Sequence, residues 1–264
     1  ILSILKALIG KELTFDSVID FGCGVGSWLA AAKSIGVNNV IGTDGDYVPT
    51  SKLMISRDEF FSNNLAELDS IKLPQKKFDL AMSLEVAEHL DESNASLFVK
   101  KLTSYSDLVL FSAAIPYQGG HGHINENWLS YWEKKFNDSG YTAVDLIRPE
   151  IWNQQGICWW YRQNIILFIK NDSLKKLPVG TSINRPLDLV HPEQFLVSIH
   201  REKTQRYYSL KQDINHFAAS ASFEVAKPLS YGNEYSYTEH IDEVIDDLAV
   251  LKQHPSFDSS RLKS

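Results

Sequence analysis

Cysteine is nearly missing from this chain: two residues, Cys23 and Cys158, in 264. That excludes a disulfide framework and points to a reducing, cytoplasmic setting. Long apolar runs are missing too. The longest unbroken stretches are short, such as Ile165 to Ile169, so no membrane-spanning helix is expected. An excess of positive charge is also lacking, with 26 Lys and Arg against 33 Asp and Glu and a net charge of -7. The last 94 residues hold 11 basic and 13 acidic side chains, and the first 170 hold 15 and 20. Neither part hides a basic module of the kind that grips a phosphate backbone, so nucleic acid is not an expected partner. The opening stretch ILSILKALIGKEL has no basic head and carries Lys6 among apolar residues at 1, 4, 5 and 8. It reads as an amphipathic helix and not as a signal peptide. The chain does not begin with Met, which leaves room for residues ahead of Ile1.

What is present is a globular composition, 44% hydrophobic and 22% charged. It excludes wholesale disorder. The length is ample to bury a core and fits one large domain with an appendage. Strand patterns fall at Ser17–Phe21, Asn39–Asp44, Phe78–Ser83 and Leu108–Ala113, with a poorly marked one near Glu59–Ser62. Helical patterns lie between them at Ser27–Lys33 and Asn94–Thr103, and another follows at Trp128–Asn137. Alternation of this kind predicts a mostly parallel sheet covered on both faces. Thr142–Ile147 and Trp159–Ile169 read as two last strands joined only by a loop, which is too short for a parallel crossover. The last strand is therefore predicted to be antiparallel.

From about Asn171 the composition shifts to Pro, Ser, Asn, Gln and Tyr. The expected organisation is a domain over residues 1–170 and a C-terminal helical and irregular extension over 171–264. Within the extension, helices are expected at Glu193–Gln212 and Tyr237–Lys252. Its expected role is a lid, a packing arm or an oligomerisation element, and a homodimer is one arrangement it would serve.

The sharpest local signal is Val18-Ile19-Asp20-Phe21-Gly22-Cys23-Gly24-Val25-Gly26, joining a strand to a helix. Glycines there allow positive φ and close approach of a ligand to the backbone. The N–H groups at the helix start suit a polar or anionic group. A dinucleotide fingerprint needs Gly or Ala at position 27, where this chain has Ser. The spacing is D-x-G-x-G-x-G instead.

In these residues the chain resembles the class I S-adenosylmethionine-dependent methyltransferases, over about residues 1–170. The resemblance implies a Rossmann-like α/β fold and S-adenosylmethionine as cofactor. It implies that Asp20, Gly22, Gly24 and Gly26 cradle the amino-acid end of the cofactor, with Trp28 close by. It places Asp44, at the end of the second strand, on the ribose hydroxyls. Asn64 and Leu65 would stand beside the adenine, Asn64 replacing the usual Asp. Leu84 would pack near the cofactor.

Above the carboxyl ends of the strands stand Glu85-Val86-Ala87-Glu88-His89 and Tyr117-Gln118-Gly119-Gly120-His121-Gly122-His123-Ile124-Asn125-Glu126. Helical spacing would put Glu85, Glu88 and His89 on one face, a set able to hold a divalent ion such as Mg or Mn. This E-x-x-E-H pattern resembles two metal-using methyltransferase groups, one making ubiquinone precursors and one methylating the terminal 2′-hydroxyl of small RNAs. The second group adds a later histidine, a role open to His121 or His123. Without a metal, His123 is the expected general base, with His121 next and Glu126 as its carboxylate neighbour. No N/D-P-P-Y/F segment follows the fourth strand, which favours transfer to oxygen over transfer to nitrogen.

The histidine loop, with Tyr131-Trp132 and Trp159-Trp160-Tyr161-Arg162-Gln163-Asn164, is similar to a bacterial subset tied to surface-polysaccharide and sugar modification. That likeness implies a sugar or nucleotide-sugar hydroxyl as acceptor, in capsule or O-antigen assembly. Tyr117 and Trp160 would stack on the sugar, and Arg162 would clamp a phosphate. Methylation of a phosphate-like glycan group, RNA 2′-O-methylation and a non-catalytic partner protein of the same fold stay open as alternatives.

Overall fold

The computed structural model describes residues 1–74, 77–181 and 186–220, with side chains to Gln212. Two compact units divide at Phe195: Ile1–Phe195 and Leu196–Ser264. The first unit holds one seven-stranded sheet. Its strands are β1 (Ser17–Phe21), β2 (Asn39–Asp44), β3 (Phe60–Ser62), β4 (Leu80–Leu84), β5 (Leu108–Ser112), β6 (Tyr141–Val144) and β7 (Ile166–Lys170). Their order is β3-β2-β1-β4-β5-β7-β6. The first five run parallel, and β7 is antiparallel to both neighbours, as the sequence predicts.

The strands form where β-branched and aromatic residues cluster, and they are buried on both faces. Period-two alternation splits their side chains between two cores. Val18, Val40, Leu80, Met82 and Leu110 face one core. There they meet Leu2 and Leu5 of α1 (Leu2–Leu8) and Leu29 and Ala32 of α2 (Ser27–Ser34). Ile19, Phe21, Ala81, Val109 and Phe111 face the other. Phe98, Val99 and Leu102 of α3 (Ala95–Tyr105) cover them, with Trp132 and Phe136 of α4 (Leu129–Asp138). Phe136 stacks on Phe168 of β7 with ring centroids 3.7 Å apart.

Two expectations fail between β6 and β7. The connection holds two short helices, α5 (Arg148–Ile151) and α6 (Trp159–Asn164), and not a bare loop. The run from Trp159 was expected to be strand throughout, yet only Ile166–Lys170 is. The ladder explains this. β7 pairs with β5 from Ile166 opposite Phe111 to Ile169 opposite Leu108. Residues ahead of Ile166 run past the end of β5, and the helix satisfies their backbone instead.

The first unit continues past Lys170. Arg148 is almost wholly buried, and its guanidinium donates to Asp145 and to the carbonyls of Gln163, Pro186 and Leu187. Those bonds fix residues 186 and 187 to the sheet domain. A last helix, α7 (Pro192–Ser220), begins at the end of this unit. The helix expected at Tyr237–Lys252 lies outside the described residues. No helix among the described residues is long and apolar enough to cross a membrane.

Candidate active site

The strand order reverses between β1 and β4. Open α/β sheets bind ligands in the crevice outside the carboxyl ends of the strands at such a point. A cavity of about 930 Å³ opens there. Gly22 and Asp44 line it from β1 and β2, Asn64 and Leu65 from the segment after β3, and Glu85 and His89 from the segment after β4. His121 and Gly122 close it from the loop after β5.

The glycine turn is built as its residues require. Gly22, Gly24 and Gly26 all have positive φ. At Gly22 a Cβ would also lie 2.3 Å from Val86 Cγ2, so the turn abuts the segment after β4. The backbone N–H of Gly24 donates to Asp44 Oδ2 over 2.7 Å, and Gly45 N–H donates to Asp44 Oδ1 over 2.7 Å. Tyr47, which the sequence did not single out, donates its hydroxyl to the same carboxylate and lines the cavity. Asp20 is buried behind them. Burial, and then the negative charge of Asp44, push its carboxyl up to about 8. Both effects favour the neutral acid.

The remaining residues expected at the cofactor divide. Asn64 lines the cavity, but its Oδ1 accepts from Ala66 N–H and its Nδ2 donates to Glu67, which caps a turn. Leu65 lines it as well. Leu84 is buried in the core beneath, away from the cavity wall. Trp28 packs edge-on against Tyr161 with centroids 5.2 Å apart and does not reach the wall.

Glu85, Glu88 and His89 do not share a helical face. Glu85 has φ 56, which turns the chain out of helical register before the short 3-10 turn Ala87–His89. Its carboxylate accepts from Gln118 Nε2 at 2.7 Å and from Asn164 Nδ2 at 3.1 Å. Glu88 points elsewhere. One ligand atom each from Glu88, His89 and His123 lies within 4.8 Å of the others. The imidazoles of His89 and His123 meet edge to face at 4.8 Å.

Each imidazole of this cluster is tethered through Nδ1. His89 Nδ1 lies 3.1 Å from the Gly122 carbonyl oxygen, and His123 Nδ1 lies 2.9 Å from Glu126 Oε1. Donation from Nδ1 leaves Nε2 with its lone pair, the arrangement typical of metal-binding histidines. Burial lowers the pKa of His89, favouring the neutral ring that a metal needs. Glu88 is fully buried; the backbone N–H groups of Glu88 and Ala114 approach its carboxyl, but neither oxygen has a well-formed hydrogen bond, and His123 Nε2 lies 3.9 Å from Oε1. Burial, and then the charge of Glu85, push its carboxyl up to about 9. The loop holds it in place, since Ile124 N–H and Asn125 N–H both donate to the Glu88 carbonyl. Gly120 makes room for His123, because a Cβ there would lie 2.2 Å from the ring.

The expected substrate residues lie apart. Tyr117 is highly exposed, with φ 67. Trp160 packs between Trp159 and Tyr161 and does not line the cavity. Arg162 is buried, bonded to the Trp152 carbonyl and paired with Glu193 at 2.6 Å. Its guanidinium is thus engaged within the fold and does not line the cavity.

A family model described as a methyltransferase domain matches residues 1–164. Among curated relatives, the ribosomal protein L11 methyltransferase of Sodalis glossinidius is 38% identical over 87 residues, 33% of this chain and 29% of the relative. That of Fusobacterium nucleatum is 26% identical over 162 residues, 56% of this chain and 46% of the relative. The chain thus spans less than half the length of either. A solved structure, magnesium protoporphyrin IX methyltransferase from Synechocystis PCC 6803 with bound SAM, aligns at 19% identity with a TM-score of 0.43. It covers 60% of this chain and 71% of that one.

Proposed function

We propose, from the premise that the chain belongs to the methyltransferase-domain family and is an S-adenosylmethionine-dependent methyltransferase, that it methylates a hydroxyl of a neutral, sugar-type acceptor. The observation that carries this reading is the buried Glu88 carboxylate, which has no well-formed hydrogen bond and shares a cluster with two tethered imidazoles. An acid left so is costly. A divalent ion resolves the cost, and Glu88, His89 and His123 are the residues that would hold it. Three protein ligands leave positions open for water or substrate. When bound, the ion lowers the pKa of an acceptor hydroxyl, and the cofactor brings an already activated methyl group.

The chain's own groups do the rest. Asp44 offers its carboxylate to the ribose hydroxyls in exchange for Tyr47. The glycine turn receives the amino-acid end of the cofactor. Gly122 and Glu126 hold the imidazoles in one tautomer. His121, exposed on the cavity wall, takes the acceptor's proton. In the metal-free form of the same reading, His123 takes that proton at Nε2 while Glu126 holds its Nδ1–H.

The cavity wall favours an uncharged acceptor. Its described residues include Asp44, Asp46 and Glu85 and no lysine or arginine. With Arg162 engaged elsewhere, a neutral glycan hydroxyl fits better than a nucleotide-sugar or phosphate-like group. The relatives favour a second reading, methylation of a protein. Transfer of labelled methyl to a panel of neutral glycosides, nucleotide sugars and ribosomal protein separates the two. Labelled glycoside, lost on chelation and restored by Mn²⁺, is the expected result. Label only in protein would replace this reading with the second.

A further inference from the structure

Among the described residues no lysine or arginine pairs with Glu85, and burial raises the pKa of its carboxyl, so its ionised form lacks a nearby fixed cation. Its carboxylate is half-buried on the cavity wall. The groups bonded to it are neutral, the Gln118 and Asn164 amides and the Ser112 hydroxyl, and both amides are themselves fixed. Gln118 Oε1 accepts from Asn164 Nδ2 at 2.8 Å and from Ile115 N–H at 3.3 Å. Gln163, next along α6, donates to Asn164 Oδ1 at 2.9 Å and to Gln194, and accepts from His191 N–H at 2.7 Å. The buried arginines are paired with Asp145 and Glu193. Amide donors offset the loss of hydration without neutralising the charge. The backbone is held as firmly. Glu85 N–H donates to the Ser112 carbonyl, and φ 56 is a conformation that a non-glycine residue keeps only when its surroundings impose it.

Its place in the cavity gives this carboxylate a task. The adjoining Val86 touches the glycine turn, which receives the amino-acid end of the cofactor. Asp44, which receives the ribose, lines the same cavity. The sulfur of S-adenosylmethionine joins those two parts, and its methyl must face the acceptor cluster at His89. Glu85 lines the same cavity as Gly22 of the glycine turn and His89 of that cluster.

We propose that Glu85, held by Gln118 and Asn164, is the fixed counter-charge for the sulfonium of the cofactor and is not a ligand of the Glu88–His89–His123 site. This inference rests on the cofactor reading above. S-adenosylmethionine and S-adenosylhomocysteine differ in the methyl group and the sulfonium charge, while both keep the ammonium. Their affinity ratio therefore reports on the charge at sulfur.

Calorimetry with both ligands, with and without a chelator, tests the assignment on the wild-type chain, Glu85→Gln and Glu85→Asp. Glu85→Gln is expected to weaken S-adenosylmethionine about tenfold while S-adenosylhomocysteine stays within about twofold. Retained S-adenosylhomocysteine binding also shows the variant folded. Glu85→Asp, which keeps the charge, is expected to recover part of the preference. An unchanged ratio in Glu85→Gln overturns the proposal. If Glu85→Gln binds neither ligand, a Glu85→Asp ratio equal to that of the wild type supports the charge assignment, and a ratio near unity overturns it. A wild-type preference that vanishes on chelation assigns Glu85 to the metal instead. Failure of the wild type to bind either ligand would remove the cofactor reading itself, and this proposal with it.

Discussion

Replacing Gly22 with alanine tests how tightly the cofactor turn is built. Two penalties follow from the geometry. At φ 82 a side chain enters the left-handed region, at about 1–2 kcal/mol. The new Cβ would also lie 2.3 Å and 2.7 Å from the two γ-carbons of Val86, an overpacking worth about 1–3 kcal/mol. Gly22→Ala should thus lose about 2–5 kcal/mol of stability and most of the affinity for S-adenosylhomocysteine. Only the second penalty belongs to Val86. Val86→Ala alone removes two half-buried methyls and should cost about 1 kcal/mol. In the double variant the two γ-carbon clashes are gone, a tight 3.1 Å contact to the β-carbon at position 86 stays, and the φ penalty remains. The double variant should therefore be more stable than the sum of single effects predicts, by about 1 kcal/mol or more. Urea unfolding at constant m measures all four corners. Simple additivity, or a Gly22→Ala loss under about 1 kcal/mol, would refute the reasoning.

Other consequences follow from the buried charges. Asp20 titrates near 8 in the fold and near 3.8 when unfolded, so the unfolded chain binds fewer protons between those values. Its contribution to stability therefore falls as pH rises from about 4 to about 8. Asp20→Asn, neutral at every pH, should raise the melting temperature more at pH 8 than at pH 5; equal shifts would contradict the assignment. Arg148→Ala leaves Asp145 and three carbonyls without their cation. It should lose about 3–5 kcal/mol in urea unfolding, and a loss below about 1 kcal/mol would show that the pair is idle.

Much of this was legible in the sequence, for identifiable reasons. The first five strands carry runs that only a sheet covered on both faces can bury, such as Val18-Ile19 and Leu108-Val109-Leu110-Phe111. The Asp20–Gly26 turn carries its φ requirement openly as glycine. The alternating His121 and His123 in a glycine-rich loop pointed to Glu88 and His89, and the fold brings His123 there. What stayed hidden depends on tertiary context. Trp159-Trp160-Tyr161 has strand propensity, yet β5 is too short to pair with it. Nothing local marks Glu85 for positive φ, so spacing alone put it on the wrong face. Gln118 and Asn164 follow no motif, because an amide that steadies a carboxylate is defined only by where the chain folds. Arg162 looked like a phosphate clamp until Glu193, 31 residues on, proved to be its partner.

A cation held by Glu88, His89 and His123 beside the methyl donor is what most needs testing. The direct measurement is titration of the chelator-stripped chain with Mn²⁺, following free ion by its magnetic resonance signal, in the wild type and in Glu88→Gln. One ion per chain is expected, with an affinity that falls at least about tenfold in Glu88→Gln. No binding, or the same binding in both proteins, would contradict it and return the acceptor's proton to His123.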